Sequence, residues 1–129
     1  MTLRIVLLAV LAVYGLPLAW TGVLGWRGRL SLSGRLGVRT PAALRDYRAF
    51  QLANRVAGPP ETVAGAVAVL GGLAAFALPT VAGTVVAAVI GLVGATVIAR
   101  AGGVLGTRAA AALPVPTGCA DCSCGSCAA

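Results

Sequence analysis

The stretch TVAGAVAVLGGLAAFALPTVAGTVVAAVIGLVGATVIA, residues 62–99, carries no charge and decides the fold. Read as one helix it would be roughly 57 Å long at 1.5 Å per residue, too long for a hydrocarbon core of about 30 Å. Pro79 and Gly83 punctuate the run, which predicts a tight hairpin at Leu78 to Ala82 between two spans, about 62–78 and 81–99. Neither half is strongly amphipathic, as suits helices immersed in lipid. Upstream, residues 5–25 form a third uncharged apolar run of spanning length. Arg4 ahead of it also fits a signal peptide. The run exceeds the usual apolar region of about 7–15 residues, however, and no Ala-x-Ala site follows. Trp20 and Trp26 bracket its end as interfacial anchors do, so a retained helix is the preferred reading, kinked at Pro17.

Composition agrees. Of 129 residues, 59% are hydrophobic and 10% charged, against about 25% charged in soluble domains, and mean hydropathy is +0.97. One small core could not hide that much apolar surface, so the surplus faces lipid. There is no His and no Lys, and the acids are Asp46, Glu61 and Asp121. Without an imidazole, a nearby carboxylate pair, a P-loop or a Gly-x-Ser-x-Gly elbow, the chain is not expected to be an enzyme.

Seven of the ten arginines lie between the first two spans: Arg27, Arg29, Arg35, Arg39, Arg45, Arg48 and Arg55. Arg100 and Arg108 follow the third span, and Arg4 stands alone on the other side. The positive-inside rule then places residues 26–61 and the C-terminus in the cytoplasm and the N-terminus outside. Within the segment, Thr40-Pro41 reads as a helix start and Gly58-Pro59-Pro60 as a stop, predicting a short amphipathic helix over 41–57. Arg48, Gln51 and Arg55 share its wet face, and Ala43, Phe50, Ala53 and Ala57 the opposite one. Such a helix suits the inner-leaflet interface, with Arg27, Arg29, Arg48 and Arg55 against anionic head groups. Basic charge without a recognition motif does not indicate nucleic acid. Small residues recur at spacing four in the third span (Gly83, Ala87, Gly91, Ala95, Ala99) and in the second (Ala64, Ala68, Gly72). Sealing of the hairpin is preferred over a homo-oligomer interface as their role. The expected fold is therefore an all-α integral membrane protein: a three-helix membrane domain at 1–108 with an amphipathic helix between the first two spans, then a tail at 109–129.

The run Gly37-Val38-Arg39-Thr40-Pro41, then Phe50, then Ala53-Asn54-Arg55-Val56-Ala57-Gly58, resembles the signature of the SdpI-type family of bacterial membrane proteins. That signature is Gly-x-Arg-Thr-Pro, an aromatic residue (usually Trp, here Phe50) and an Asn-Arg or Thr-His pair before a glycine. One transmembrane helix precedes it and two follow, as here. Longer members carry additional N-terminal helices that are not found in this chain. The resemblance implies a multi-pass inner-membrane module of immunity or signalling type. The family's named member protects its producer against a secreted peptide toxin and holds a transcriptional autorepressor at the membrane. By position, Arg39, Thr40, Phe50, Asn54 and Arg55 are the candidate functional residues. Each of the polar four also has a structural reading: Thr40 as cap, Asn54 as a polar residue on the helix face, Arg39 and Arg55 as interfacial anchors. The other readings are an accessory subunit docked into a larger membrane complex and a metal-binding protein.

The metal reading rests on Cys119, Cys122, Cys124 and Cys127, four cysteines within nine residues. In a reducing cytoplasm such thiols point to soft metals, zinc or copper(I), before disulfides. The one-residue gap between Cys122 and Cys124 departs from zinc and iron–sulfur spacings, so a redox role and a tail without a defined role stay open alongside metal.

The arginine asymmetry makes a direct prediction. Single cysteines introduced between residues 27 and 55, in a variant whose four native cysteines are changed to serine, should react with a membrane-impermeant thiol reagent only after the cell is opened. Labelling in intact cells would reverse the orientation.

Overall fold

Backbone N–H and C=O groups cannot stay unpaired in hydrocarbon, and a helix is one of the two ways to pair them all. The computed structural model describes residues 1–31 and 33–114, and within them the chain is helical throughout its apolar runs, with no strand. Helix α1 covers Thr2–Trp26, the single turn α2 Pro41–Leu44, α3 Tyr47–Ala77 and α4 Val81–Ala111. α1, α3 and α4 are each long and apolar enough to cross a membrane. The hairpin falls where expected: Leu78 ends α3, its N–H bonding Ala74 O at 3.1 Å, and Thr80 caps α4 by accepting from the Gly83 N–H at 3.2 Å. Hydroxyls within the helices are satisfied locally, Thr84 donating to Thr80 O at 2.9 Å and Thr96 to Leu92 O at 2.7 Å.

α3 is the middle helix, packed along both α1 and α4, while α1 and α4 meet only lightly. One of their meetings is Tyr14 Oη, 3.4 Å from Thr96 Oγ1. Since lipid tails are as apolar as leucine, the helices associate through close backbone approach. Leu11, Gly15, Gly22 and Gly25 of α1 are buried, as are Ala64, Ala68, Gly72 and Ala75 of α3 and Ala88, Gly91, Ala95 and Gly102 of α4. The large apolar side chains point the other way, Val13, Leu16, Ile90 and Val97 among them. The small-residue stripes thus serve packing within the chain. Their partners are in part the expected ones, since Ala64 and Ala68 share a buried cluster with Ala95 of α4, but α3 also turns small residues toward α1. Ala68 and Gly72 lie against Gly15 and Leu11 of α1, and Gly71 meets Gly91 of α4. The strict spacing of four in α4 also drifts: the buried line runs Thr84, Ala88, Gly91, Ala95, as a 3.6-residue period requires.

The separate helix expected over 41–57 does not exist. Residues 41–44 form one turn, Asp46 starts a new helix, and that helix continues through Gly58-Pro59-Pro60 into the second span. Gly58 has no Cβ to clash with the following ring, which removes part of the penalty on the residue before proline. Packing supplies the rest: Gly58 sits against the Trp26 and Gly22 backbone, and the Pro60 ring fills the space left at Gly102. The expected apolar face is real, with Ala43, Phe50, Ala53 and Ala57 all buried, but protein covers it, not the inner leaflet. Its three alanines share one cluster with Val38, Ala49 and Ala110. At 31 residues each, α3 and α4 are about 46 Å long, so both project beyond a 30 Å core on the side opposite the hairpin. The Ala-rich end of α4 carries the third span past its expected limit at Ala99, since alanine is the best helix former and Gly106 there meets the Ala53 carbonyl. α1 likewise extends to Thr2–Trp26 and stays helical across Pro17.

A Cβ added at Gly58 would lie 2.6 Å from Trp26 N and 2.7 Å from Gly22 O, whereas one at Gly103 meets nothing within 4 Å. Gly58→Ala should therefore cost about 1–3 kcal/mol by forcing α1 from α3. Gly103→Ala should be neutral or stabilising by up to about 1 kcal/mol. Thermal unfolding of the two variants in one detergent checks the contrast.

Candidate functional site

Nine of the ten arginines gather where α1 ends, α3 begins and α4 ends; Arg4 alone is at the hairpin, donating to the Pro79 carbonyl. The arginine-rich end is built by local chain geometry. α1 stops in a Schellman motif, with Gly28 left-handed at φ +65°, its N–H on Gly25 O at 3.0 Å and the Arg29 N–H on Leu24 O at 3.0 Å. The loop that follows is stitched to α3 at two points. Gln51 Nε2 donates to Leu30 O at 3.2 Å, and the Val38 N–H donates to Asn54 Oδ1 at 2.6 Å. Asn54 is 2% exposed and spends its amide on Phe50 O at 2.8 Å, so both its donor and its acceptor are used inside.

Gly37 makes this latch feasible. Its φ is +93°, and a Cβ there would lie 2.2 Å from Asn54 Oδ1. Any L side chain would be strained and would displace the amide. Two residues on, Arg39 donates to the Gly34 carbonyl, and its guanidinium carbon stands 6.0 Å from the centroid of the fully buried Phe50 ring, the outer limit of a cation–π contact. Thr40 caps α2 by accepting from the Ala43 N–H at 3.4 Å. Asp46 caps α3, accepting from the Ala49 N–H at 2.7 Å, and Arg45 lies 3.4 Å from it. The Ala49 N–H holds the Asp46 carboxyl below its ordinary range against a smaller desolvation effect, and Arg45 adds to the lowering. Arg45 also donates to the Leu113 carbonyl at 3.1 Å, tying the α2–α3 junction to the end of α4.

The structure thus brings Arg39, Thr40, Phe50 and Asn54 into one cluster and leaves Arg55 outside it, exposed on the other side of α3. Asn54 is a buried clasp and not a polar residue on the helix face. Arg27, Arg29 and Arg48 are exposed, as head-group contacts require. Sequence reasoning passed over Gly37 as more than a motif letter, and over Arg45 and Gln51, whose work is done on distant carbonyls that no spacing rule reveals. Beside the latch, Val38 and Thr40 face Arg100, Val104, Thr107 and Arg108 of α4 across an open groove of about 690 Å³. Cys119, Cys122, Cys124 and Cys127, the residues that would hold zinc or copper(I), lie outside the described residues.

Removing the clasp should be measurable. Asn54→Ala leaves the Val38 N–H buried without a partner, at a cost of about 1–3 kcal/mol, and should speed hydrogen exchange of the Val38 amide. Gly37→Ala should do the same through its Cβ, whereas Arg55→Ala should stay within about 0.5 kcal/mol of wild type.

The chain matches the model of the SdpI/YfhL protein family over residues 29–100, a range that opens in the Arg29 loop, takes in the whole latch and closes at Arg100. No curated protein and no solved structure matches it.

Proposed function

We propose, for a chain that belongs to the SdpI/YfhL protein family, a protective or signalling role at the membrane, exerted through its arginine-rich end. The observation that carries this reading is the convergence of the family-type signature, Gly37 through Asn54, on one ordered cluster outside the apolar spans. Three packed helices alone would not need a loop clasped at Leu30 and Val38, a buried amide and a cation over a buried ring. Those features hold a polar surface in fixed shape, which is what recognition requires and lipid embedding does not. The role is one of binding, without a catalytic step.

In this reading the multi-pass protein sits in the bacterial inner membrane with its N-terminus outside and its arginine-rich end in the cytoplasm. Arg27, Arg29, Arg48 and Arg55 meet anionic head groups, each worth about 1 kcal/mol near the surface. A membrane-active peptide toxin, or a regulator recruited to the membrane, is the partner. The cysteine tail adds a separate capacity for zinc or copper(I), independent of the latch.

Expression in a sensitive bacterium should raise tolerance to a membrane-active peptide. Arg39→Ala should lower that tolerance at unchanged protein level by removing its charge together with its hold on the Gly34 carbonyl and the Phe50 ring, and Asn54→Ala should lower it by releasing the loop. Equal tolerance for wild type, both variants and empty vector across a peptide panel would refute the protective role.

A further inference from the structure

The groove between the latch and α4 has features that the protective reading does not use. Residues 81–99 of α4 carry no charge, and Arg100 is the first charged residue after them, so the groove opens where the helix leaves hydrocarbon. Arg100, Val104 and Arg108 follow one another at spacing four and share one face of α4. Two guanidinium groups therefore flank an apolar side chain along about 12 Å of helix. Val38 supplies a second apolar surface from the loop side, and Thr40 and Thr107 also line the groove. Thr107 donates inward to Gly103 O at 2.8 Å. Among the described residues no acid lines the groove, and Arg45 pairs with Asp46 away from it.

We infer that this groove is a specific site for one anionic glycerophospholipid. Charge decides the head: two arginines, with no carboxylate among the described residues lining the groove, suit a phosphodiester, and guanidinium pairs with phosphate oxygens in a bidentate fork. Location and the valines decide the remainder. A free phosphate would leave Val38 and Val104 idle, and about 690 Å³ is far more than so small an ion fills. A lipid places its phosphate between Arg100 and Arg108, its glycerol ester region on the valines and its acyl chains along the exposed apolar face of α4. Basic pockets beside transmembrane helices hold anionic head groups in this manner. The site differs from diffuse attraction by Arg27, Arg29, Arg48 and Arg55, because Val38 is fixed in place by Asn54 and so the groove has a shape. It stands whether or not the chain protects a cell.

The test uses the full chain purified in mild detergent with a limiting amount of phosphatidylglycerol in phosphatidylcholine, read by native mass spectrometry. Wild type should retain one phosphatidylglycerol per chain. Arg100→Gln with Arg108→Gln should lose it, with affinity roughly thirtyfold weaker, while Arg4→Gln with Arg35→Gln, which removes equal charge outside the groove, should keep it. Val104→Gln should weaken lipid retention without removing charge. Equal loss in both arginine pairs would show diffuse attraction only and overturn the site. Displacement of the lipid by millimolar inorganic phosphate, or a Val104→Gln variant that binds lipid as wild type does, would assign the groove to a free anion and equally overturn the proposal. Circular dichroism of each variant distinguishes lost binding from lost fold.

Discussion

Helices already in lipid gain nothing by hiding leucines from their surroundings, and everything in this bundle follows from that. What remains is dispersion at short range and an occasional hydrogen bond, both of which reward backbones that come close. The chain accordingly reverses the soluble pattern, with alanine and glycine inside and valine, leucine and isoleucine outside. Gly15 against Gly65 and Gly22 against Gly58 bring α1 and α3 to a separation at which a single added methyl has no room. The same logic explains why α3 is central: it carries small residues on two faces, while α1 and α4 each need one.

Beyond the bilayer the solvent changes and so does the construction. The first turns of α3 and the last turns of α4 stand outside the hydrocarbon thickness, where burial of apolar groups from water is again favourable. There the chain assembles a small conventional core of Val38, Ala43, Ala49, Ala53, Ala57 and Ala110 with Leu113 packed against it, and Phe50 is fully buried nearby in sequence. Buried polar groups are admitted only with partners. Asn54 is the clearest case, and no buried side-chain polar atom among the described residues lacks one. α3 links the two regimes as one continuous helix, Tyr47–Ala77.

Much of this was legible beforehand, for identifiable reasons. Span number, the hairpin at Pro79 and the Thr40 cap depend on local chemistry: charge-free length, a missing N–H, a hydroxyl at the right offset. The face pattern over 43–57 was legible too, because it is pure periodicity. What covers that face was not, since an alanine face packs equally well against lipid or another helix, and only the three-dimensional partner decides. The two prolines misled for the same reason. Pro59-Pro60 breaks an isolated helix, but here α1 and α4 hold the chain on either side through Gly58 and Gly102. The Asn54 clasp joins positions 16 apart through a left-handed glycine, and no period marks such a pair.

Arginine counting shows how far composition reaches and where it stops. The excess at one end bears on orientation because every guanidinium contributes its charge to the crossing of the bilayer. After folding the same residues are no longer equivalent. Arg45 is engaged by Asp46 and the Leu113 carbonyl, and Arg39 by the Gly34 carbonyl and the Phe50 ring, so both hold the loop and helix ends together. Arg27, Arg29, Arg48 and Arg55 face outward, and Arg100 and Arg108 border a groove. A substitution at any of the ten alters the topological signal by the same single charge, but only some should alter the shape of the arginine-rich end. Separating those two effects requires variants that exchange arginine for lysine. Such exchanges preserve the charge that sets orientation while removing the planar fork that Arg45 presents to carbonyl and carboxylate together and that Arg39 lays toward the Phe50 ring.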